Sequence, residues 1–263
     1  MQEQQTARGD APDAIRVEGI AKSFGPVKAL RNINLRVRQG EILGLVGDNG
    51  AGKSTLIKII TGYIQPDAGT IYINGEPTRI RSVVQARSFG IETVYQDLAL
   101  VNELSVYHNM FLRRELVHRP LGLLNNGAMR RLAREHLSNI GIKLPSVDTP
   151  IAMLSGGQRQ AIAIARAVYS NARILLLDEP LAAMGAREGA QILNLLRTLR
   201  ARGDISIIMI AHNYAQVLEI CDRVNLLQHG EITFDREVEP SLLEELNNIV
   251  MNEYRLGSAR PQA

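Results

Sequence analysis

Residues 47–54 combine glycines, a lysine and a serine in the spacing G-x-x-x-x-G-K-[ST], which can cradle phosphate. The glycines let backbone N–H groups point inward, Lys53 supplies a cation for the β and γ phosphates, and the Ser54 hydroxyl can ligate Mg²⁺. We therefore predict a nucleotide-binding loop between a buried strand and a helix. The alternative is an ordinary glycine-rich turn, which requires neither Lys53 nor Ser54. The candidate ligands are Gly47, Asp48, Asn49, Gly50, Ala51, Gly52, Lys53, Ser54 and Thr55.

A second segment, residues 154–158, has the pattern of an anion-binding helix N-terminus. Ser155 and Gln158 have the spacing of a capping box, and a nearly all-apolar helix is predicted after them. Gly156 and Gly157 carry no side chains, so N–H groups and the Ser155 hydroxyl are open to an anion. A cap alone explains Ser155 and Gln158 but not two glycines, which weaken a first helical turn. Together the two segments suggest a nucleotide held between two subunits.

A third candidate is the acidic pair Asp178 and Glu179, which ends a continuous apolar run over residues 174–177. Such a run is typical of a parallel strand buried on both faces, where unpartnered charges are costly. Asp178 suits the outer coordination sphere of Mg²⁺, and Glu179 is placed to polarise a water aimed at the γ-phosphate. The alternative is a strand that ends in solvent, where the charges cost nothing.

In this order the three segments resemble the nucleotide-binding subunit of ABC transporters, from about residue 15 to residue 235, and residues 154–158 are the most specific part. The resemblance implies that Phe24 stacks on adenine, Gln96 senses Mg²⁺ and the attacking water, and His212 contacts the γ-phosphate. Independently, Gln96 and His212 follow strand-like runs, and ligands of open α/β sheets bind beyond such carboxyl ends. A core position for Phe24 and a structural role for His212 are the alternatives.

One stretch departs from the family pattern. Most members have Ser-Ala-Leu-Asp after the catalytic glutamate, whereas this chain has Ala182-Ala183-Met184-Gly185 and so lacks the aspartate of a cross-interface hydrogen bond. A similar Ala-Ala-Leu-Gly is familiar in sugar-importer members, which residues 47–58 and 94–100 also resemble. The resemblance thus implies a monosaccharide importer. Many such members carry two cassettes in tandem, and this chain has one.

The elements that must position these residues begin with strand-like runs at 15–20, 29–37, 41–46 and 70–73. Residues 97–151 have a helical pattern with a loop at 120–127, after which strands and helices alternate. The resemblance implies an α/β fold: a P-loop NTPase core (RecA-like mixed sheet flanked by helices), an N-terminal antiparallel β subdomain and an inserted helical subdomain. We expect a flexible N-terminus at 1–14, the ATPase domain at 15–240 with its helical insertion at about 97–151, and a C-terminal helix and tail at 241–263.

Composition fits a globular protein: 263 residues with 45% hydrophobic content. The apolar runs fall far short of the roughly 18 to 20 residues of a membrane helix, and residues 1–14 lack a secretory signal. The single Cys221 excludes an intramolecular disulfide. These features favour the cytoplasm, and the resemblance implies a peripheral position on the inner face of the cell membrane. Six arginines cluster between residues 113 and 134, as a solvated face or, alternatively, a contact for acidic lipid or nucleic acid.

The implied cofactors are ATP and Mg²⁺. The implied partner copy follows from the two segments that are predicted to bind phosphate, residues 47–54 and 154–158. A head-to-tail dimer with a second copy would give each ATP a loop from one subunit and residues 155–158 from the other. The resemblance adds integral membrane permease subunits and, indirectly, a substrate-binding protein; no nucleic acid is expected. The alternative function is a cassette ATPase acting on ribosomes or DNA, whose usual second cassette or long coiled coil is not found. A regulator without turnover would lack Glu179 or His212.

Overall fold

The computed structural model describes residues 11–182 and 184–249. It confirms the α/β fold class. In chain order the elements are β1 (Asp13–Phe24), β2 (Val27–Arg38), β3 (Ile42–Val46), α1 (Lys53–Ile60), β4 (Ala68–Ile73), β5 (Glu76–Thr78), α2 (Val83–Ser88), β6 (Ile91–Val94), α3 (Val106–Phe111), β7 (Val117–His118), β8 (Leu123–Leu124), α4 (Asn126–Asn139), a 3-10 turn (Ile151–Met153), α5 (Gly156–Tyr169), β9 (Ile174–Asp178), α6 (Ala186–Arg202), β10 (Ser206–Ile210), α7 (Tyr214–Ile220), β11 (Arg223–Gln228), β12 (Glu231–Glu237) and α8 (242–249).

A six-stranded sheet forms the centre of the molecule, in the order β12-β11-β3-β10-β9-β6. Its pairs are parallel except for the edge hairpin of β11 and β12. Every residue of β3 and β10 is buried, because helices α5, α6 and α7 cover one face of the sheet, and helix α1 and the N-terminal strands cover the other. Continuous apolar runs are the pattern expected of such two-sided burial.

The N-terminal strands form a second, antiparallel sheet in the order β2-β1-β4-β5. Its first strand begins at Asp13, so the sequence-based boundary at Ile15 is two residues late. The two sheets are joined by the buried guanidinium of Arg223, which lies 2.8 Å from Glu41 and 2.6 Å from Asp235 and also donates to the Arg36 carbonyl. These partners satisfy a charge that would otherwise be costly to bury.

The helical insertion consists of α3, the hairpin of β7 and β8, and α4, which pack beside α5. The loop predicted at 120–127 is wrong in part, because it contains β8 and the first two residues of α4. Met110, Met129 and Leu137 are buried in the same apolar cluster as Ile162 of α5. The insertion is therefore packed on the helix that carries the second glycine-rich segment.

The arginine-rich region is mainly solvent-exposed, although Arg130 pairs with Asp148 at 2.5 Å and Arg114 approaches Glu92 at 3.7 Å. Helix α8 buries Leu242 and Leu246, so this part of the predicted C-terminal segment packs on the core. Residues 1–10 and 250–263, which include most of the predicted N-terminus and tail, lie outside the described residues. Within residues 11–182 and 184–249, none of the helices has the length and apolar composition of a membrane span.

Candidate functional site

Four candidate groups follow four neighbouring strands. Strands β3, β10, β9 and β6 lie side by side and parallel, with Leu45 paired to Ile210, Ile210 to Asp178, and Val94 to Leu177. Their carboxyl ends therefore meet at one edge of the sheet. The groups that follow them are the 47–54 loop, His212, the Asp178–Glu179 pair and Gln96. Such an edge is where ligands bind in open α/β sheets.

The glycines of the 47–54 loop are required by its backbone. Gly47, Gly50 and Gly52 have φ values of 145°, 83° and 114°, a region that other residues rarely adopt. A Cβ on Gly47 would lie 2.1 Å from the Leu227 carbonyl oxygen, and one on Gly52 would lie 2.7 Å from the Ala29 carbonyl oxygen. Helix α1 follows directly, and no side chain caps its N-terminus. Its first N–H groups and dipole therefore suit an anion.

Lys53 is held beneath this loop with only 6% of its surface exposed. Its Nζ donates to the carbonyl oxygens of Gly47 at 2.6 Å and Asp48 at 2.9 Å. Burial lowers the pKa of Lys53, while the charges of Glu179, Asp48 and Asp178 oppose that shift. The cation thus lies within electrostatic reach of both carboxylates at the end of β9. Ser54 and Thr55 lie in the first turn of α1, Ser54 exposed and Thr55 half-buried.

The acidic pair at the end of β9 has two different environments. Asp178 is half-buried, and burial, followed by the charge of Glu179, raises the pKa of Asp178. Glu179 has a φ of 50°, unusual for a residue with a Cβ, and its N–H donates to the Ile210 carbonyl at 3.0 Å. Backbone strain of this kind concentrates at functional sites. The Glu179 carboxylate lies 2.6 Å from Nε2 of His212, so the structure brings the proposed base and the histidine together.

Gln96 and Phe24 both lie on the surface. Gln96 is exposed two residues beyond β6. Phe24 ends β1 and is 50% exposed, so the alternative of a core position is wrong. The Nζ of Lys22 lies 5.7 Å from the centre of the Phe24 ring. An exposed ring at the tip of a hairpin is available to a planar base, and its contact with adenine stays a prediction.

The capping box predicted at the start of α5 is confirmed. Oγ of Ser155 accepts the N–H of Gln158 at 3.3 Å, and Oε1 of Gln158 accepts the N–H of Ser155 at 3.0 Å. The helix behind this cap is mostly buried, as its apolar pattern predicts. Among the described residues, no hydrogen bond or ion pair joins residues 155–158 to residues 47–55 of the same chain.

A side chain that the sequence did not single out, Glu188, lies against this cap. A Cβ on Gly157 would come within 2.9 Å of the Glu188 Cβ, so α6 approaches at a distance that only glycine allows. The Ser155 hydroxyl, followed by the Gly157 N–H, holds the pKa of the Glu188 carboxyl below its usual range. The donors assigned to a phosphate therefore already face a carboxylate of their own chain. The sequence feature that could have identified Glu188 is its position as an acidic residue in the first turn of a predicted helix.

The stretch that departs from the family pattern lies between β9 and α6. Leu181 is buried, Ala182 and Met184 are half-buried, and Ala183 lies outside the described residues. Gly185 precedes α6 and is exposed, with open space around the position of a Cβ. Among residues 11–182 and 184–249, therefore, no atom requires glycine at this position on steric grounds.

Comparisons with known proteins agree with this geometry. The family profile described as ABC transporter matches residues 30–182. The xylose/arabinose import ATP-binding protein of Sulfolobus acidocaldarius is 42% identical, over 93% of this chain and 96% of that protein. The ribose import ATP-binding protein of Chromobacterium violaceum is 39% identical over 88% of this chain, which spans 46% of that relative. A solved dimeric ATP-binding cassette in a post-hydrolysis state with ADP and Pi has a TM-score of 0.70 and 26% identity, covering 86% of this chain and 99% of that one.

Proposed function

This chain belongs to the ABC transporter family, and we propose that it is the ATP-hydrolysing subunit that powers a multi-subunit importer of a monosaccharide. One observation carries the hydrolytic part: the 47–54 loop, Asp178–Glu179, Gln96 and His212 share one edge of the sheet. The substrate class is supported by relatives whose names specify xylose, arabinose and ribose import.

The 47–54 loop binds the phosphates of ATP in this proposal. Its backbone N–H groups and the N-terminus of α1 face the phosphate oxygens, and Phe24 stacks on the adenine. An ammonium has three N–H donors, and Lys53 uses two on carbonyls of its own loop. The third donor is left for a β or γ phosphate oxygen. The existing bonds hold Lys53 in place before the nucleotide arrives.

Mg²⁺ fits the donor set at this edge, because the Ser54 hydroxyl, the Gln96 amide and the Asp178 carboxylate offer the oxygen ligands that this ion prefers. When bound, Mg²⁺ neutralises charge on the β and γ phosphates. Asp178 must be ionised for that role, although burial and Glu179 raise its pKa. A nearby cation opposes this shift, so metal binding and ionisation of Asp178 favour each other.

Glu179 serves as the general base toward water. One carboxylate oxygen lies against His212, which orients the group and leaves the second oxygen to accept a proton from water. In this proposal His212 also contacts the γ-phosphate, and so it reports the presence of that phosphate to the carboxylate that it bonds. Gln96 orients the same water from the neighbouring strand.

Two copies of the chain complete each site in this proposal. The Ser155 hydroxyl and the N–H groups at the start of α5 bind the γ-phosphate held by the other copy, and the dimeric solved cassette supports such an arrangement. Membrane permease subunits contact the Gln96 segment and the helical insertion, and a substrate-binding protein acts through the permease. The chain then lies in the cytoplasm, on the inner face of the cell membrane.

ATP-dependent dimerisation tests the composite site, because two variants should change it in opposite directions. In a Glu179→Gln background, which retains ATP, added ATP should shift the protein from monomer to dimer. Ser155→Arg should abolish the shift, because a bulky cation fills the anion site. Glu188→Gln should strengthen it, because a carboxylate that contacts Ser155 and repels phosphate becomes neutral. Sedimentation velocity across an ATP titration measures all three.

A monomer at every ATP concentration would contradict the composite site. An unchanged dimer in Ser155→Arg would show that residues 155–158 do not bind phosphate. The control is Glu231→Gln on the exposed side of β12, which removes one negative charge elsewhere and should leave the ATP dependence unaltered.

Uptake measurements test the importer. We expect deletion of the gene to abolish uptake of one monosaccharide, wild-type protein to restore it, and Glu179→Gln protein to fail at equal expression. Purification from membranes should recover a separate, strongly apolar permease. If the chain instead sediments with ribosomes or DNA and no permease co-purifies, the importer proposal is wrong.

A further inference from the structure

The link segment, defined as residues 97–105, joins Gln96 to the helical insertion. It runs from the end of β6 to the start of α3 and is largely irregular. Ala99 within it has a φ of 49°, a conformation that residues with a Cβ adopt only when their surroundings hold them. Side chains from two helices hold this backbone.

Arg166 of α5 holds the first half of the link segment. Its Nη1 donates to the Ala99 carbonyl at 2.9 Å, and its Nη2 donates to the Leu98 carbonyl at 3.0 Å. The planar guanidinium presents two fixed donors to two successive carbonyls, which an ammonium cannot reproduce. Arg166 lies on the helix whose N-terminus is formed by residues 155–158.

Asn109 of α3 holds the second half. Its side chain is fully buried and accepts the Val101 N–H at 2.8 Å. The two N–H groups of its Nδ2 face the carbonyls of Val101, Leu104 and Ser105 at 3.0 to 3.2 Å, with one N–H shared between two of them. The link segment is thus attached at both ends to the helical part of the molecule. At its start, the link segment is connected to strand β6 of the central sheet by the chain that contains Gln96.

A buried acid completes the surroundings of Arg166. Glu92 lies on β6 with 8% of its surface exposed, and its carboxylate approaches Arg87 at 3.4 Å and Arg114 at 3.7 Å. Burial raises the pKa of Glu92, and the charges of Arg87, Arg114 and Arg166 oppose the shift. Arg166 therefore faces both the strand that leads to Gln96 and the segment that leaves it.

We propose that Arg166 is a positioning residue that couples the helix bearing residues 155–158 to Gln96. When the nucleotide bound by the other copy moves the N-terminus of α5, the Arg166 guanidinium moves Leu98 and Ala99 with the helix. Gln96 is two residues before Leu98, so it moves as well. The inference rests on the proposed function for the roles of Gln96 and Ser155. The attachment itself rests only on the contacts of Arg166.

The kinetic test uses two replacements. Arg166→Gln should lower kcat about tenfold, the scale of one hydrogen bond from a charged group, with less than about a twofold change in KM for ATP. Arg166→Lys keeps the charge that faces Glu92 but lacks the two fixed donors of the guanidinium. It should also lose activity, while its Tm stays close to that of wild type. Unchanged kcat in both variants would overturn the proposal.

A double variant separates the two roles that Arg166 could have. If Arg166 only balances the charge of Glu92, Glu92→Gln with Arg166→Gln should restore kcat. If it holds the link segment, the double variant should stay as slow as Arg166→Gln, which is the result we expect. Arg87→Gln is the matched control, because Arg87 approaches the same carboxylate without bonding the segment, and its kcat should remain near that of wild type.

A spin label tests the attachment without turnover. Asp97 is exposed, and Cys221 is the only cysteine, so Asp97→Cys in a Cys221→Ala background takes a single label. We expect Arg166→Gln to increase label mobility and Arg87→Gln to leave it unchanged. Equal mobility in all variants would overturn the attachment. A different result would contradict the proposed function alone: the wild-type protein does not hydrolyse ATP, but the label is more mobile in Arg166→Gln. In that case the attachment by Arg166 is still supported.

Discussion

Glu179→Gln should slow ATP hydrolysis by at least about a hundredfold, the lower end of the contribution of a positioned general base. Glutamine has nearly the same shape, and its Oε1 can keep the contact with His212 when the histidine Nε2 carries a proton. What the variant loses is the capacity to accept a proton from water. ATP binding should be retained, since the phosphates are held by the 47–54 loop. Steady-state phosphate release and a nucleotide titration measure the two quantities.

Two comparisons make this result specific. Glu231→Gln, on an exposed position of β12, should hydrolyse ATP at the wild-type rate. His212→Ala should also slow turnover, because it removes the group that lies 2.6 Å from the base and orients it. Near-normal phosphate release by Glu179→Gln would remove this residue from the chemical step. A loss of ATP binding by the same variant would assign it to the binding site instead.

Lys53→Ala should weaken the nucleotide complex itself, tenfold to about a hundredfold. Each hydrogen bond from a charged group contributes about 1.5 to 3 kcal/mol, and each 1.4 kcal/mol corresponds to a factor of ten in affinity. The variant also releases the carbonyls of Gly47 and Asp48, to which Lys53 is bonded. Both effects act on ATP affinity, measured by titration calorimetry.

Lys58→Ala is the matched control for Lys53→Ala. Lys58 lies in the same helix α1 and carries the same charge, but it is exposed. Its removal should change ATP affinity by less than about twofold, as expected for a screened surface charge. Unchanged affinity in Lys53→Ala would count against phosphate binding by the 47–54 loop. A large loss in Lys58→Ala would indicate a general effect of charge rather than a specific bond.

The local parts of the site could be predicted because they depend on neighbours in the chain. The Ser155–Gln158 capping box involves residues three apart, and the positive φ values of Gly47, Gly50 and Gly52 follow from a loop that only glycines can form. Continuous apolar runs identified β9 and β10, and so placed Glu179 and His212 at strand ends. By contrast, two-residue strands have too few residues for a periodic pattern, which is why β8 was predicted as part of the 120–127 loop and β7 as part of the helical pattern before it.

By itself, the sequence determined which residues could bind phosphate and which strand or helix ends carry them, because backbone conformation and capping are short-range interactions. Tertiary structure alone decided that β3, β10, β9 and β6 are neighbours, that His212 meets Glu179, that Glu188 lies on the Ser155 cap, and that Arg166 holds the link segment. These contacts join residues far apart in the chain. They form only when apolar faces pack and fix the distances between elements, and no local pattern encodes those distances.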